Sequence, residues 1–402
     1  MSPRGRARWS LPWLLLASLP AQARPPDTGH EGRPEIRWRR VVVDPRFVSE
    51  GIATADVDLD DRVDLMVGDF WYQAPDWKPH PIRPHQECGD GRAGYSGCFA
   101  CFAADVDHDG FPDQIVIGFP GAPAKWYRNP GRPDGAWTEH VIGPSACNES
   151  PLFVDLFGDG QRVLVMGTQP EGELCWFQPG ADPKAPWTRH ALSTGKAPGT
   201  EQFAHGLGCG DLDGDGRADV LVNAGFWSQP KDAATRTTPW PFVPCALGGP
   251  CAHMHVLDVD ADGTADVVSS SAHGRGVWWH RQQQGEGGKP QFSPHDVLTT
   301  ITQTHALCTG DIDGDGRPDL VTGKRFWAHG PDGDEEPAGT PLLVWIAIEP
   351  GSPPKFTPHV IDDASGVGTQ FEVADVNGDG LLDVVVANKK GVFLFLQERG
   401  KR

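Results

Sequence analysis

Residues 311–319 read DIDGDGRPD and residues 211–219 read DLDGDGRAD. Four carboxylates within nine residues repel one another unless a cation sits among them. Alternate side chains aimed at one centre, with a glycine allowing the turn, suit a hard, oxygen-seeking ion, and calcium is the expected occupant. Five stretches carry the full set: Asp105, Asp107, Asp109 and Asp113; Asp211, Asp213, Asp215 and Asp219; Asp258, Asp260, Asp262 and Asp266; Asp311, Asp313, Asp315 and Asp319; Asp375, Asn377, Asp379 and Asp383. Another, Asp56, Asp58, Asp60 and Asp64, has Asp61 where glycine is expected, which predicts weaker binding. The copy from Asp155 to Val163 has lost two ligands and is expected to bind nothing. An EF-hand would need a glutamate at position twelve and flanking helices; Val67, Val116, Val222 and Val386 stand there instead. The expected role of the ion is structural.

A different chemistry stands five or six residues ahead of each first aspartate. Those positions hold Glu50, Phe99, Glu149, His205, His253, His305 and, slightly displaced, Glu372. Imidazole is a poor ligand for a hard ion, so His205, His253 and His305 with Glu50, Glu149 and Glu372 point to zinc or manganese, or to proton transfer. Lys324 or Arg325 could stabilise a developing enolate. Downstream of the loops, Trp71, Trp227 and Trp327 offer faces for sugar rings, and His273, Arg275 and Lys389 offer partners for carboxylates.

The elements that must position these groups recur with the loops. First aspartates fall at 56, 105, 155, 211, 258, 311 and 375, a loose period of about fifty residues, the length of one four-stranded propeller blade. Small residues precede each loop and a β-branched run follows it, then an aromatic strand, then a strand of the form W/F-x-x-H, as at His140, His190, His295 and His359. These histidines recur in outer strands and never converge, so they read as structural. Seven such units predict an all-β, seven-bladed β-propeller. The seventh unit lacks its last strand, and residues 36–43 supply one of that type, so the ring is expected to close through the N-terminal strand. With the acidic loops all on one face, the His/Glu positions should ring the opposite mouth of the central channel.

The unit D-x-D-x-D-G-x-x-D followed by a strand resembles the FG-GAP/VCBS repeat of integrin α-subunit propellers and many bacterial secreted proteins. The resemblance covers essentially the whole mature chain. It implies a calcium-loop propeller whose function lies among adhesion, carbohydrate binding and sugar lyases. The repeat style also resembles, more loosely, aldos-2-ulose dehydratase propellers, with no catalytic motif matched residue by residue.

Composition narrows the partners. A net charge of −19 argues against nucleic acid or an anionic membrane. Arg4, Arg6 and Arg8, an apolar run from Leu11 to Leu19 and Ala21-Gln22-Ala23 form the pattern of a cleaved signal peptide. The expected organisation is a signal peptide at 1–23, a linker at 24–34 and the propeller at 35–402, secreted or periplasmic, without membrane insertion. In an oxidising compartment Cys245–Cys251 and Cys88 with Cys98 or Cys101 are candidate bridges. Two functions remain open: a metal-assisted lyase or dehydratase on an oxidised sugar, and a non-catalytic module binding polysaccharide or an extracellular protein. The His/Glu set favours the first, since adhesion needs no proton shuttle.

Overall fold

The run of small residues before each acidic loop is the innermost strand of a four-stranded antiparallel sheet, and the β-branched run after the loop is the second. The computed structural model describes residues 35–400 except 250, 286 and 288. The expected signal peptide and linker lie outside the described residues.

Blade 1 comprises Ala53–Ala55, Asp64–Val67, Phe70–Gln73 and Lys78–Pro81; blade 2, Ala100–Ala104, Asp113–Ile117, Ala124–Arg128 and Thr138–Gly143. Blade 3 comprises Leu152–Val154, Val163–Thr168, Glu173–Gln178 and Thr188–Ala191; blade 4, Gly208–Gly210, Asp219–Val222, Gly225–Trp227 and Phe242–Pro244. Blade 5 comprises Cys251–Leu257, Asp266–Ser271, Arg275–Gln284 and Pro290–Thr302; blade 6, Leu307–Gly310, Asp319–Gly323, Leu343–Glu349 and Lys355–Asp362. Blade 7 takes Glu372–Ala374, Asp383–Asn388 and Gly391–Arg399 from the C-terminal end, and Ile36–Asp44 as its outermost strand. That last pairing runs antiparallel from Ile36 opposite Arg399 to Val42 opposite Phe393. The protein is an all-β, seven-bladed propeller.

The residue types follow from position in the wedge. Innermost strands crowd around the axis and use small side chains: a Cβ on Gly210 would lie 2.4 Å from Val256 of the next blade. Second strands are sandwiched between neighbouring blades and are buried along their whole length, as in Asp64–Val67 and Asp383–Asn388. Each fully buried Val or Leu there contributes roughly 1.5–3 kcal/mol relative to exposure. Toward the rim, the outer-strand histidine lies on the tryptophan of the third strand: His140 on Trp126, His190 on Trp176 and His359 on Trp345, with ring centroids 4.0–4.6 Å apart. His80 stacks on Trp71 in the same way, and His295 is tilted on Trp279.

The ninth-position aspartate knits each complete unit together. Asp113 accepts the Val106 amide at 2.9 Å on one oxygen and the Asn129 amide at 2.7 Å on the other, joining the loop to the end of the third strand. Asp64, Asp219 and Asp383 do the same with Val57 and Ala74, Leu212 and Gln229, and Val376 and Gln397. A buried carboxylate with two amide donors fixes the inner turn that orients everything upstream of it.

Candidate functional site

Glu50, Glu149, His205 and His305 each lie on the segment leading into an innermost strand, in blades 1, 3, 4 and 6, so ring geometry aims all four at the axis. They meet there. His205 Nε2 and His305 Nε2 are 3.3 Å apart, and each is 3.4 Å from Glu149 Oε2. Arg325, at the start of the long 324–342 connection in blade 6, completes the cluster. Its guanidinium pairs with Glu50, and its Nη1 lies 3.0 Å from His305 Nε2 and 3.6 Å from Glu149 Oε2. The other Glu50 oxygen accepts the Ser96 amide at 3.1 Å. The group is closed off: the His205 side chain, the most accessible, is 7% exposed.

Burial would raise the Glu149 carboxyl, but the adjoining His205 and His305 imidazoles and the Arg325 charge outweigh it and hold the group far below the usual carboxylate range. Burial, and then Arg325, drive His305 well below an ordinary imidazole. Glu149 is therefore an anion and His305 an unprotonated imidazole at neutral pH. Glu149 Oε2 and His305 Nδ1 are buried without a hydrogen-bond partner. Three donor atoms separated by 3.3–3.4 Å can all lie about 2 Å from one point, which is the bond length imidazole and carboxylate make to zinc. Histidine and glutamate donors fit a borderline divalent ion.

Other expected members lie elsewhere. His253 is turned into the wall between blades, with Nδ1 3.2 Å from the Leu307 carbonyl and Nε2 3.0 Å from that of Thr369, and burial lowers it to about 4. Glu372 accepts the Thr54 amide and hydroxyl at 2.9 and 2.7 Å, and burial raises it to about 7. It stands three residues before Asp375, where the axial members stand six before their aspartates, and that displacement, visible in the spacing, separates it from the axis. Lys324 alternates with Arg325 and points away, donating to Thr302 and Gln303. Trp71 and Trp227 are packed between blades at 1% and 3% exposure, unavailable to a sugar. Arg275 pairs with Glu335 and Glu336.

The mouth above the cluster is built by longer connections. His273 lies edge-on to His205 at 4.8 Å between ring centroids and 4.6 Å from His329. Asp334 accepts from His329 Nδ1 at 2.6 Å, and its other oxygen lies 3.2 Å from His273 Nδ1. Lys389 donates to the Trp327 and Ala328 carbonyls beneath the Tyr95 ring, and burial lowers it to about 8. Tyr95 packs against Phe99 and Phe119, and Phe119 against Phe203; the last two are 40% and 42% exposed. His329, Asp334, Tyr95 and Ser96 escape a search keyed to the repeat, because they sit in long connections that hold no repeat position.

Residues 258–322 match the FG-GAP-like repeat family. A stretch of 164 residues is 29% identical to the KICSTOR complex protein ITFG2 of Bos taurus, covering 35% of this chain and 29% of that protein. The chain thus spans less than a third of the length of the curated relative it matches. Among solved structures, BBS1N in complex with ARL6DN is similar with a TM-score of 0.52 at 10% identity, over 91% of this chain and 98% of that one. The biofilm matrix protein Bap1 of V. cholerae gives 0.44 at 9% identity, over 89% and 88%. With the seven-bladed ring and its acidic loops in place, the match falls on one repeat of that ring. The chain is a seven-bladed propeller that carries an FG-GAP-like repeat.

In this propeller the acidic loops gather oxygen donors alone. Asp56, Asp58 and Asp64 bring one carboxylate oxygen each within 4.8 Å of the others, as do Asp105, Asp107 and Asp113, and Asp211, Asp213 and Asp219. The first aspartate organises the turn: Asp211 accepts from the amides of Gly214, Asp215 and Gly216 at 2.8–3.0 Å. The sixth position is left-handed, with φ of 84° at Gly216 and 70° at Asp61, so the first loop holds an aspartate where glycine is unstrained. Arginines lean on several loops, Arg128 on Asp107 and Asp109, and Arg281 on Asp260 and Asp262. In the third repeat, Phe157 replaces a ligand and packs against Trp176 at 4.9 Å and under Arg236.

All nine cysteines are free thiols, so neither expected bridge forms. Cys245 follows the outermost strand of blade 4, whereas Cys251 opens the innermost strand of blade 5, at the opposite radial edge. Cys98 and Cys101 are buried beside Met66 and Val116, in the seam between blades 1 and 2.

Proposed function

We propose that this propeller is an exported, calcium-stabilised protein whose axial Glu149–His205–His305 set holds a zinc or manganese ion and acts on an oxidised sugar as a lyase or dehydratase. The observation that carries this is the near-equilateral triangle of donor atoms, two of whose residues retain buried polar atoms without partners. When bound, such an ion polarises a carbonyl or carboxylate oxygen. Arg325 is the cation at the cluster, fixed by Glu50, and it supplies the positive charge that an enolate or carboxylate would meet. Because Arg325 Nη1 and a metal would share the same His305 lone pair, loading requires that one contact to be released, while the Glu50 anchor remains.

The absence of a candidate membrane-spanning helix among the described residues is compatible with export. Oxygen-only loops suit calcium, which binds the ordered carboxylates better than the dispersed ones of the unfolded chain. The test is metal analysis of calcium-saturated protein, with turnover on keto- and uronic sugars. Retention of zinc or manganese that falls by about one ion per chain in His305→Ala, together with loss of turnover, supports the proposal. A wild-type protein that takes up neither ion overturns it.

A second reading, a module that binds another protein, draws on the exposed Phe119 and Phe203 at the mouth and on the relative named for a protein complex. In that case Phe119→Ser abolishes partner capture while His305→Ala leaves it intact.

A further inference from the structure

From the mouth of the channel we infer a second transition-metal site, separate from the axial one, formed by His273 Nδ1, His329 Nδ1 and the Asp334 carboxylate. One donor atom from each of the three lies within 4.8 Å of the other two. They come from two places in the fold. His273 lies in the turn between the second and third strands of blade 5, and His329 and Asp334 belong to the 324–342 connection of blade 6. A core would have no use for such a convergence: the His273 and His329 side chains are 40% and 30% exposed, so they are not holding an interior together.

Asp334 makes the case for a cation. Its side chain is only 6% exposed, and among the described residues its ion-pair partners are these two imidazoles, with no lysine or arginine bonded to it. A buried carboxylate facing two imidazoles is a costly arrangement unless positive charge joins it. A divalent ion does so by replacing the two imidazole protons, with Asp334 chelating through either or both oxygens. The 3.2 Å edge to His273 is already a ligand–ligand spacing; the 2.6 Å edge to His329 must open by about half an ångström. His329 sits in a long connection, partly exposed, where such a shift meets little resistance. Two imidazoles and one carboxylate select zinc, cobalt or nickel over calcium.

This site neighbours the axial centre but shares none of its ligands, so the two can fail separately. The full chain, stripped of metal and then saturated with calcium to fill the acidic loops, is titrated with Co²⁺ and followed by visible absorption and by metal analysis. The expected result is two cobalt ions per chain, falling to one in His329→Ala and in Asp334→Asn, and to one in His305→Ala. The melting temperature of each variant confirms that the ring is intact, and Asp334→Asn, being isosteric, serves where His329→Ala is unstable. A stoichiometry of two unchanged by His329→Ala and Asp334→Asn overturns the mouth site. So does a stoichiometry of one that His305→Ala alone abolishes, or one that either His305→Ala or His329→Ala abolishes, since a single ion is then shared. If His305→Ala keeps two ions, the axial reading fails and the mouth site is judged on its own variants.

Discussion

The Tyr72 hydroxyl donates to Asp44 Oδ2 over 2.7 Å, binding the first blade to the final residue of the strand that completes the seventh. Arg46 pairs with the same carboxylate at 2.7 Å. Two blades joined by no sheet hydrogen bond are thus tied by one buried anion at the place where the two ends of the chain meet. Burial pushes the Asp44 carboxyl up, but hydrogen bonds from Arg46 and Tyr72 outweigh it and the net shift is downward.

The sign of the pH effect follows. A carboxyl lowered in the folded state contributes its stability above its unfolded value, near 4, and loses it as the pH falls through the lower folded value. Asp44→Asn is expected to cost about 1–3 kcal/mol at neutral pH, the range for a buried donor left without its acceptor. Denaturant unfolding at pH 7 and again below pH 4 checks this. The gap between wild type and variant should narrow in acid, and a gap independent of pH would refute the linkage.

Removing the strand itself should do more. Deleting residues through Pro34 leaves every described strand in place, whereas deleting through Val43 strips the outermost strand of blade 7 and leaves Gly391–Arg399 as an open edge. The longer truncation is expected to melt well below the parent or to aggregate. Thermal denaturation with light scattering decides the matter, and coincident melting curves would show that Ile36–Asp44 adds nothing.

How much of this was legible beforehand depended on whether the repeat carried it. The inner-strand positions could be counted back from each aspartate loop, so Glu50, Glu149, His205 and His305 were readable as an axial group. The count of five or six also admitted His253, which stands five residues before Asp258 where the other four stand six before their aspartates, and its ring lies in the wall toward Leu307 and Thr369. Successive side chains of an extended segment point to opposite sides, so an offset of one residue is enough to turn a side chain away from the axis. Trp71 was misread as a rim platform because the W-x-x-H signature Trp77-Lys-Pro-His80 was not recognised as supplying its stacking partner. Asp334 and His329 were beyond reach, since a nineteen-residue connection carries no period to count by.

The acidic loops give a paired prediction. Asp213 is one of three carboxylates gathered in the fourth repeat, whereas Asp159 stands in a loop whose third and ninth positions are Phe157 and Val163. Chelator is expected to lower the melting temperature, with calcium restoring it better than magnesium. Asp213→Ala should lower calcium stoichiometry by one and destabilise by about 1–3 kcal/mol, a typical range for losing a binding or polar contact. Asp159→Ala should change neither quantity. Isothermal titration with calcium separates the two, and equal effects would contradict the ranking of the loops.

Arg325 offers the sharpest test of what the axis is for. Its guanidinium bonds Glu50, which is wholly buried, so Arg325→Met alone leaves an unpaired interior carboxylate and should cost about 3–5 kcal/mol. Removing both charges with Arg325→Met and Glu50→Gln should recover most of that loss, because no buried ion is then stranded. The double variant also clears the His305 Nε2 lone pair and removes a positive charge beside the Glu149 carboxylate. If the triangle is a metal site, zinc should bind the double variant about tenfold more tightly than wild type, a gain of about 1.4 kcal/mol. If Arg325 is instead the resident cation of a purely structural network, the double variant should fold and yet show no axial zinc at all. Competition titration against a chromophoric chelator in calcium-saturated protein distinguishes these outcomes without any knowledge of the substrate.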